Sequence, residues 1–260
     1  MKAKSFEING VHVEPGQRVD IDLPVARLYT HTNLAMPVQV LNGKLQGPSM
    51  FVSAAIHGDE LNGVEVIRRL LHHTALKRLR GTLIAIPIVN VHGFLDRSRY
   101  LPDRRDLNRS FPGSVKGSLA SRIARLFMKE VVARCDYGID LHTGAIHREN
   151  LPQIRANIDD PETERLARAF GVPVLINSTL RDGSLRMAAA EQGVTMLLYE
   201  AGEALRLNEV SIRAGLRGVL NVMRALDMLP ARKRRTTGMK PPVIARSSSW
   251  ERAPESGILR

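Results

Sequence analysis

The sequence predicts an α/β fold: a mixed, mostly parallel twisted sheet with helices on both faces and a β-rich extension at the amino terminus. Three observations predict it. From Met50 onward, apolar runs of strand length alternate with segments of helical period, the rhythm of a sheet wound with helices. Those runs are apolar almost without interruption, which marks strands buried on both faces. Residues 1–45 instead alternate apolar with polar side chains, the pattern of half-exposed strands.

Taken in order, Phe6 and Ile8 face Val11 and Val13 across Asn9-Gly10, a dipeptide suited to the positive φ angles of a tight hairpin turn. Val19, Ile21 and Leu23 alternate with polar neighbours, and residues 36–41 read as a further strand. Residues 50–56 form the first buried strand, after which Leu61, Val64, Ile67 and Leu71 recur at helical spacing. Residues 83–89 form the second, with Pro87 marking a bulge or the strand end. A helix over 119–133 buries Ile123, Leu126, Phe127 and Val131. Then come a third buried strand over 137–141, a helix over 161–170, and strands over 172–176 and 195–199. A long amphipathic helix over 210–229 is stopped by Pro230.

The chain has 260 residues, 43% of them hydrophobic, enough for one large core over residues 1–230 with 1–45 as its extension. Aromatics are only 4%, so the core is aliphatic and a protein that stacks bases on rings is disfavoured. The net charge is +12, and half of it lies in residues 231–260. There eight basic residues, from Arg232 to Arg260, face only Glu251 and Glu255, beside Pro241-Pro242 and three consecutive serines. That is the composition of a solvated basic linker more than of a nucleic-acid arm. Residues 250–260 read as the opening of a carboxy-terminal β domain. The charge spread over the body suits a small anionic substrate, drawn in by steering. The single Cys135 excludes an intrachain disulfide and fits a reducing compartment. No apolar leader core and no run near the ~20 residues of a membrane span is visible, so the expectation is a cytoplasmic protein with no membrane partner.

In open α/β sheets, ligands collect where the parallel strands end. His57-Gly58-Asp59-Glu60 follows the first buried strand. Asn90, His92 and a polar loop with Asp106-Leu107-Asn108-Arg109 follow the second. Asp140-Leu141-His142-Thr143 closes the third, and Glu200 closes the strand over 195–199. His57 and Glu60, three apart, can turn to one point if Glu60 opens the helix, and His142 would complete a set of three ligands. Two imidazoles and one carboxylate suit catalytic zinc, which keeps a fourth position open. An isolated histidine is more often a hydrogen-bonded or surface residue, the reading for His72 and His73; the specificity lies in the constellation. Asp140, on the same strand face as His142, and Asp106 are available to accept the outer ring N–H of a ligating histidine. Glu200, beside Leu197-Leu198-Tyr199, is placed to act as a base raised by burial, the alternative being an ordinary capping or ion-paired carboxylate. Arg109 can grip a substrate carboxylate with Asn108 beside it. A second arginine would stabilise an oxyanion, and spacing does not choose among Arg99, Arg104 and Arg105.

Together, the motifs at residues 57–63, 106–113, 140–143 and 200–202 resemble the succinylglutamate desuccinylase/aspartoacylase family of the zinc carboxypeptidase-like superfamily. The resemblance covers about residues 39–229. It implies a zinc-carboxypeptidase-like fold and one zinc ion on His57, Glu60 and His142. It implies Glu200 as general base and then acid, Asn108 and Arg109 at the substrate carboxylate, and Asp106 behind His57. Arg99-Tyr100 is similar to the family's Arg-Tyr pair, which selects Arg99 for the carbonyl. The implied activity is cleavage of the amide bond of a small N-acyl amino acid by a catalytic domain over 1–230. The rivals are a metallocarboxypeptidase acting on peptides and, from another class, a protein that binds nucleic acid through its basic tail. The sequence leaves a homo-oligomer open.

Overall fold

The structure is a computed structural model and describes residues 1–231, 241–247, 249 and 251–257. Strands β1 (Phe6–Ile8) and β2 (Val11–Val13) form the expected hairpin, with Asn9 and Gly10 at φ of 49° and 74°. All other strands join one nine-stranded sheet. They are β3 (Arg18–Arg27), β4 (Asn33–Asn42), β5 (Leu45–Ala54), β6 (Arg80–Ile86), β7 (Tyr137–Gly144), β8 (Asn150–Ala156), β9 (Val174–Asn177), β10 (Thr195–Glu203) and β11 (Val243–Ala245). Their spatial order is β11-β9-β8-β10-β7-β5-β6-β4-β3. The middle four, β10, β7, β5 and β6, run parallel, and β8 and β4 flank them antiparallel. The expected mixed, mostly parallel sheet is therefore present.

The pleat sends alternate residues of each strand to opposite faces, and two cores result. On one face Met50, Val52 and Ala54 of β5, with Ile139 and Leu141 of β7, pack under α1 (Asn62–Leu71), α4 (Pro161–Phe170) and α6 (Glu209–Ala225). On the other, Phe51, Ile84 and Ile86 meet α3 (Leu119–Glu130), α5 (Leu185–Glu191) and the hairpin. Phe127 anchors this second face, with its ring 5.6 Å edge-on from Phe51 and 6.2 Å from Phe111. The other core has its own aromatic contact, Phe170 stacked on Tyr199 at 5.1 Å.

Several elements differ from the sequence expectation. β8, α5 and the short helix α2 (Val91–Leu95) were not visible in the pattern. Pro152 within β8 hides that strand, since proline gives no N–H to a ladder. The helix expected over 119–133 ends at Glu130 and gives way to a 3-10 turn at Val132–Arg134. The helix expected to reach 229 ends at Ala225, because Asp227 takes a left-handed φ of 55° ahead of Pro230. The strand expected over 172–176 begins at Val174, after Pro173. Within the stretch expected as a basic linker, Val243–Ala245 pairs in parallel with β9. Most of the basic run, at 232–240, lies outside the described residues, as do 250 and 258–260 of the expected β-domain opening; 251–257 carry no regular structure. No helix among the described residues is long and apolar enough to cross a membrane.

Gly63, in the first turn of α1, permits the closest contact between helix and sheet. A Cβ there would lie 2.7 Å from the Cβ of Ala54 and 2.8 Å from that of Leu141. Gly63→Val is expected to push α1 off β5 and β7 at a cost of about 1–3 kcal/mol. Thermal unfolding checks this, with Tm expected to fall by roughly 2–10 °C for a domain of this size.

Candidate active site

The residues singled out by the sequence meet where β5, β7 and β10 end. After β5, Ala55 takes a left-handed φ of 51°, which is rare without glycine, and turns the chain so that His57 and Glu60 face back over the sheet. Gly58 lets this loop close on α2, for a Cβ there would sit 1.9 Å from the carbonyl carbon of Gly93. His142 and Asp140 lie two apart on β7 and so share its other face from Leu141. Glu200 stands directly across from His142 in the β10–β7 ladder.

Glu60 is the hub. Its Oε1 lies 2.8 Å from His57 Nδ1, and its Oε2 lies 2.8 Å from His142 Nδ1 and accepts the Thr143 N–H at 3.1 Å. The outer nitrogens are also engaged: His57 Nε2 lies 3.0 Å from Asp106, and His142 Nε2 lies 2.6 Å from Asp140. Ser53 donates to Asp140, and Asp106 accepts the Asn108 N–H. One donor atom from each of His57, Glu60 and His142 falls within 4.8 Å of the other two, and all three residues are buried.

The four imidazole nitrogens therefore each face a carboxylate oxygen. Burial disfavours charge on both rings, yet Glu60 and Asp106 raise the proton affinity of His57. Asp140 and Glu60 carry that of His142 well above the usual 6.5. Burial pushes Glu60 upward, but the two imidazoles outweigh it and hold the carboxyl far below the usual range. Two inner ring nitrogens turned to one shared carboxylate enclose a place that a single divalent cation fits. The outer carboxylates would then hold the Nε2 protons and aim both Nδ1 lone pairs inward. The donor set thus fits a metal ion.

A cavity of about 460 Å³ opens onto this cluster, lined among others by Arg99, Asn108, Arg109 and Glu200. Arg99 bridges the site, donating to Glu60 and Asp106 at 3.3 Å each. Of the three loop arginines, only Arg99 lines the cavity, and Arg105 pairs outside it with Asp103. Asn108 is anchored through its Oδ1 to the backbone of Leu185 at 2.9 Å. Burial raises the pKa of Glu200 above the usual 4.5, against the pull of Arg155 and His142. Asn90 and His92 are not brought in: Asn90 caps α2 through Gly93, and His92 does not line the cavity.

Sequence reasoning missed several contributors. Asn62 clamps the site from outside, donating to Ala201 of β10 and accepting from Asn208 at the start of α6. Its place in the motif at 57–63 was the available signal. Asn150 and Arg155 of β8 both reach Glu200, and Arg186 of α5 lines the same cavity. No spacing rule marks them, because their elements were not legible.

The sequence pattern of the succinylglutamate desuccinylase/aspartoacylase catalytic domain matches residues 46–226, which include every residue of the cluster. The chain belongs to the succinylglutamate desuccinylase/aspartoacylase family. A curated member, the N-alpha-acetyl-L-2,4-diaminobutyric acid deacetylase of Halomonas elongata, is 29% identical over 227 residues. That match covers 84% of this chain, which spans 65% of the relative's length. Among solved structures, an aspartoacylase family protein from Mesorhizobium loti is 28% identical with a TM-score of 0.73, covering 87% of this chain and 71% of the other. A succinylglutamate desuccinylase/aspartoacylase from Rhodobacter sphaeroides is 25% identical with a TM-score of 0.75, covering 85% and 70%. The expected carboxypeptidase-like fold is the one these family members share.

Asp140→Asn is expected to weaken the affinity of the His57, Glu60 and His142 cluster for a divalent metal roughly 10–100-fold, as measured with added zinc by competition with a chelating dye. A metal and a proton compete for the same inner nitrogens of His57 and His142, whose proton affinity the facing carboxylates raise. Zinc affinity is therefore expected to rise with pH through neutrality, by about tenfold per pH unit for each proton displaced. Titrations at several pH values check the slope.

Proposed function

We propose that this chain is a zinc-dependent hydrolase that cleaves the amide bond of a small N-acyl amino acid. The observation that carries the reading is the buried cluster of His57, Glu60 and His142, within 4.8 Å and sharing one cavity with Glu200. Family membership and the deacetylase name of the Halomonas elongata relative support it.

His57, Glu60 and His142 would hold the ion. When bound, zinc supplies a Lewis acid for the scissile carbonyl and activates a water at neutral pH. The remaining chemistry falls to the protein's own groups. Glu200 takes a proton from the attacking water, a task suited to a carboxylate whose proton affinity burial has raised. Arg99 lines the cavity beside Glu60 and donates to the carbonyl oxygen as negative charge develops. Asn108 and Arg109 hold the α-carboxylate, with Arg109 offering a planar fork. The C–O bond forms, the C–N bond breaks, and Glu200 delivers its proton to the leaving nitrogen.

Glu200→Gln is expected to retain one zinc per chain and lose about 10²–10⁴-fold in kcat on N-acyl amino acids. Metal analysis beside initial rates checks both halves. Full activity in that variant would remove Glu200 from the mechanism. Faster turnover of dipeptides than of N-acyl amino acids would favour a carboxypeptidase.

A further inference from the structure

A second cavity, of about 840 Å³, opens at the other end of the sheet from the candidate active site. It lies where β5 begins at Leu45 and β6 begins at Arg80, and Asp227, Leu229 and Ala231, which follow α6, complete its wall. From this cavity β5 runs to Ala54, just ahead of His57, a path of roughly 30 Å. No described residue lines both cavities. Its volume falls within the range of small-molecule sites, ~300–1,000 Å³.

The wall is aliphatic. Five leucines line it, among them Leu76 and the buried Leu79 and Leu229. Leu45 at the entrance is 46% exposed. No aromatic side chain stands among the described lining residues, so a nucleotide base finds nothing to stack on. The rim is cationic. Lys44, Lys77, Arg78 and Arg80 line it against one carboxylate, that of Asp227. All four cations are exposed, and among the described residues none of them makes an ion pair within 4.0 Å. Arginines on the helices behave otherwise: Arg69 pairs with Glu65, Arg165 with Glu162 and Arg168 with Glu164. Lys44 is held at the rim by its stem, for a Cβ on Gly16 would lie 3.0 Å from Lys44 Cε and 3.1 Å from its Cγ. In the sequence, Arg232-Lys233-Arg234-Arg235 follow directly on the wall residue Ala231, so the charge drawn to this rim is negative.

An aliphatic wall beneath unpaired cations complements a ligand of matching build, an aliphatic chain that ends in an anion. Burial of the chain drives such binding, and the cations fix its direction. We propose that this cavity is a binding site for a free, single-chain amphiphilic anion. The chain lies on the leucines and the carboxylate sits among Lys44, Lys77, Arg78 and Arg80. A membrane surface or a nucleic acid presents its anions across a broad face, whereas Leu79 and Leu229 are recessed where one chain can enter. The site is separate from the hydrolytic centre and does not depend on the deacylase reading.

The test uses the full chain, with octanoate as the probe, in calorimetry below its micelle concentration. Octanoate is expected to bind at least about a hundredfold more tightly than acetate, because its longer chain is buried. It is expected to bind at least about tenfold more tightly than octylammonium, and that preference should shrink as salt is raised. These comparisons need no variant. The double variant Lys44→Glu, Arg78→Glu, at two exposed positions, is expected to lose about tenfold or more in octanoate affinity. Arg109→Ala removes an anion anchor from the catalytic cavity and is expected to leave octanoate affinity within about twofold of wild type, since the two sites are far apart. Equal binding of octanoate and acetate, or of octanoate and octylammonium, overturns the site. So does octanoate binding that is lost in Arg109→Ala and kept in the double variant, which would place the ligand in the catalytic cavity. Binding of anionic vesicles or duplex DNA without binding of octanoate overturns it as well.

Discussion

The carboxylate of Glu60 is 2% exposed and lies between two imidazoles, and its charge is compensated on every side. A bare carboxylate in that position would be strongly unfavourable. Here each oxygen is used twice: one faces His57 and Arg99, and the other faces His142 and the Thr143 amide. The compensation continues outward, because the imidazoles themselves are buried and rely on Asp106 and Asp140. Asp140 in turn takes the Ser53 hydroxyl, and Asp106 takes the Asn108 amide and Arg99. Each added layer satisfies the one inside it, and the result is a polar network with little freedom to rearrange.

Such a network needs a rigid support, and the sheet provides it. β5, β7 and β10 are adjacent and parallel, so their ends deliver His57, His142 and Glu200 to one edge. The antiparallel β8 adds a second source of side chains beside β10, which explains how Asn150 and Arg155 reach Glu200. Asn62 joins the end of β10 to the start of α6, so the loop that carries Glu60 and the strand that carries Glu200 are tied together. The apolar cores on the two faces hold this frame, and Phe127 packs against Phe51 of β5 from below.

Glu60 and Glu200 share a cavity but are driven in opposite directions. Burial acts on both. At Glu60 two imidazoles in contact overcome it, and the proton is lost easily. At Glu200 the charges of Arg155 and His142 are too weak to do so, and the proton is held more tightly than usual. One carboxylate is thereby suited to stay charged beside a cation and the other to exchange a proton. Divergent environments for paired carboxylates are a recurrent basis for dividing such roles.

Much of this was legible in the amino-acid order alone. The unbroken apolar runs located the parallel strands, since a strand buried on both faces tolerates no polar position. With the strands placed, His57, Glu60, His142 and Glu200 stood out as polar groups at their ends. Local spacing placed Asp140 behind His142, because residues two apart share a strand face. By itself, then, the sequence determined the sheet and the edge at which His57, Glu60 and His142 gather, because short-range periodicity places the strands and therefore their ends. Only the tertiary structure decided how the cavity is walled. β8 is interrupted by a proline and α5 is short, so neither left a periodic signal. Arg155 and Arg186 are 31 positions apart in the chain and meet only because an antiparallel strand and a helix are folded against Glu200. Charge that is brought together across such distances has no local pattern to announce it.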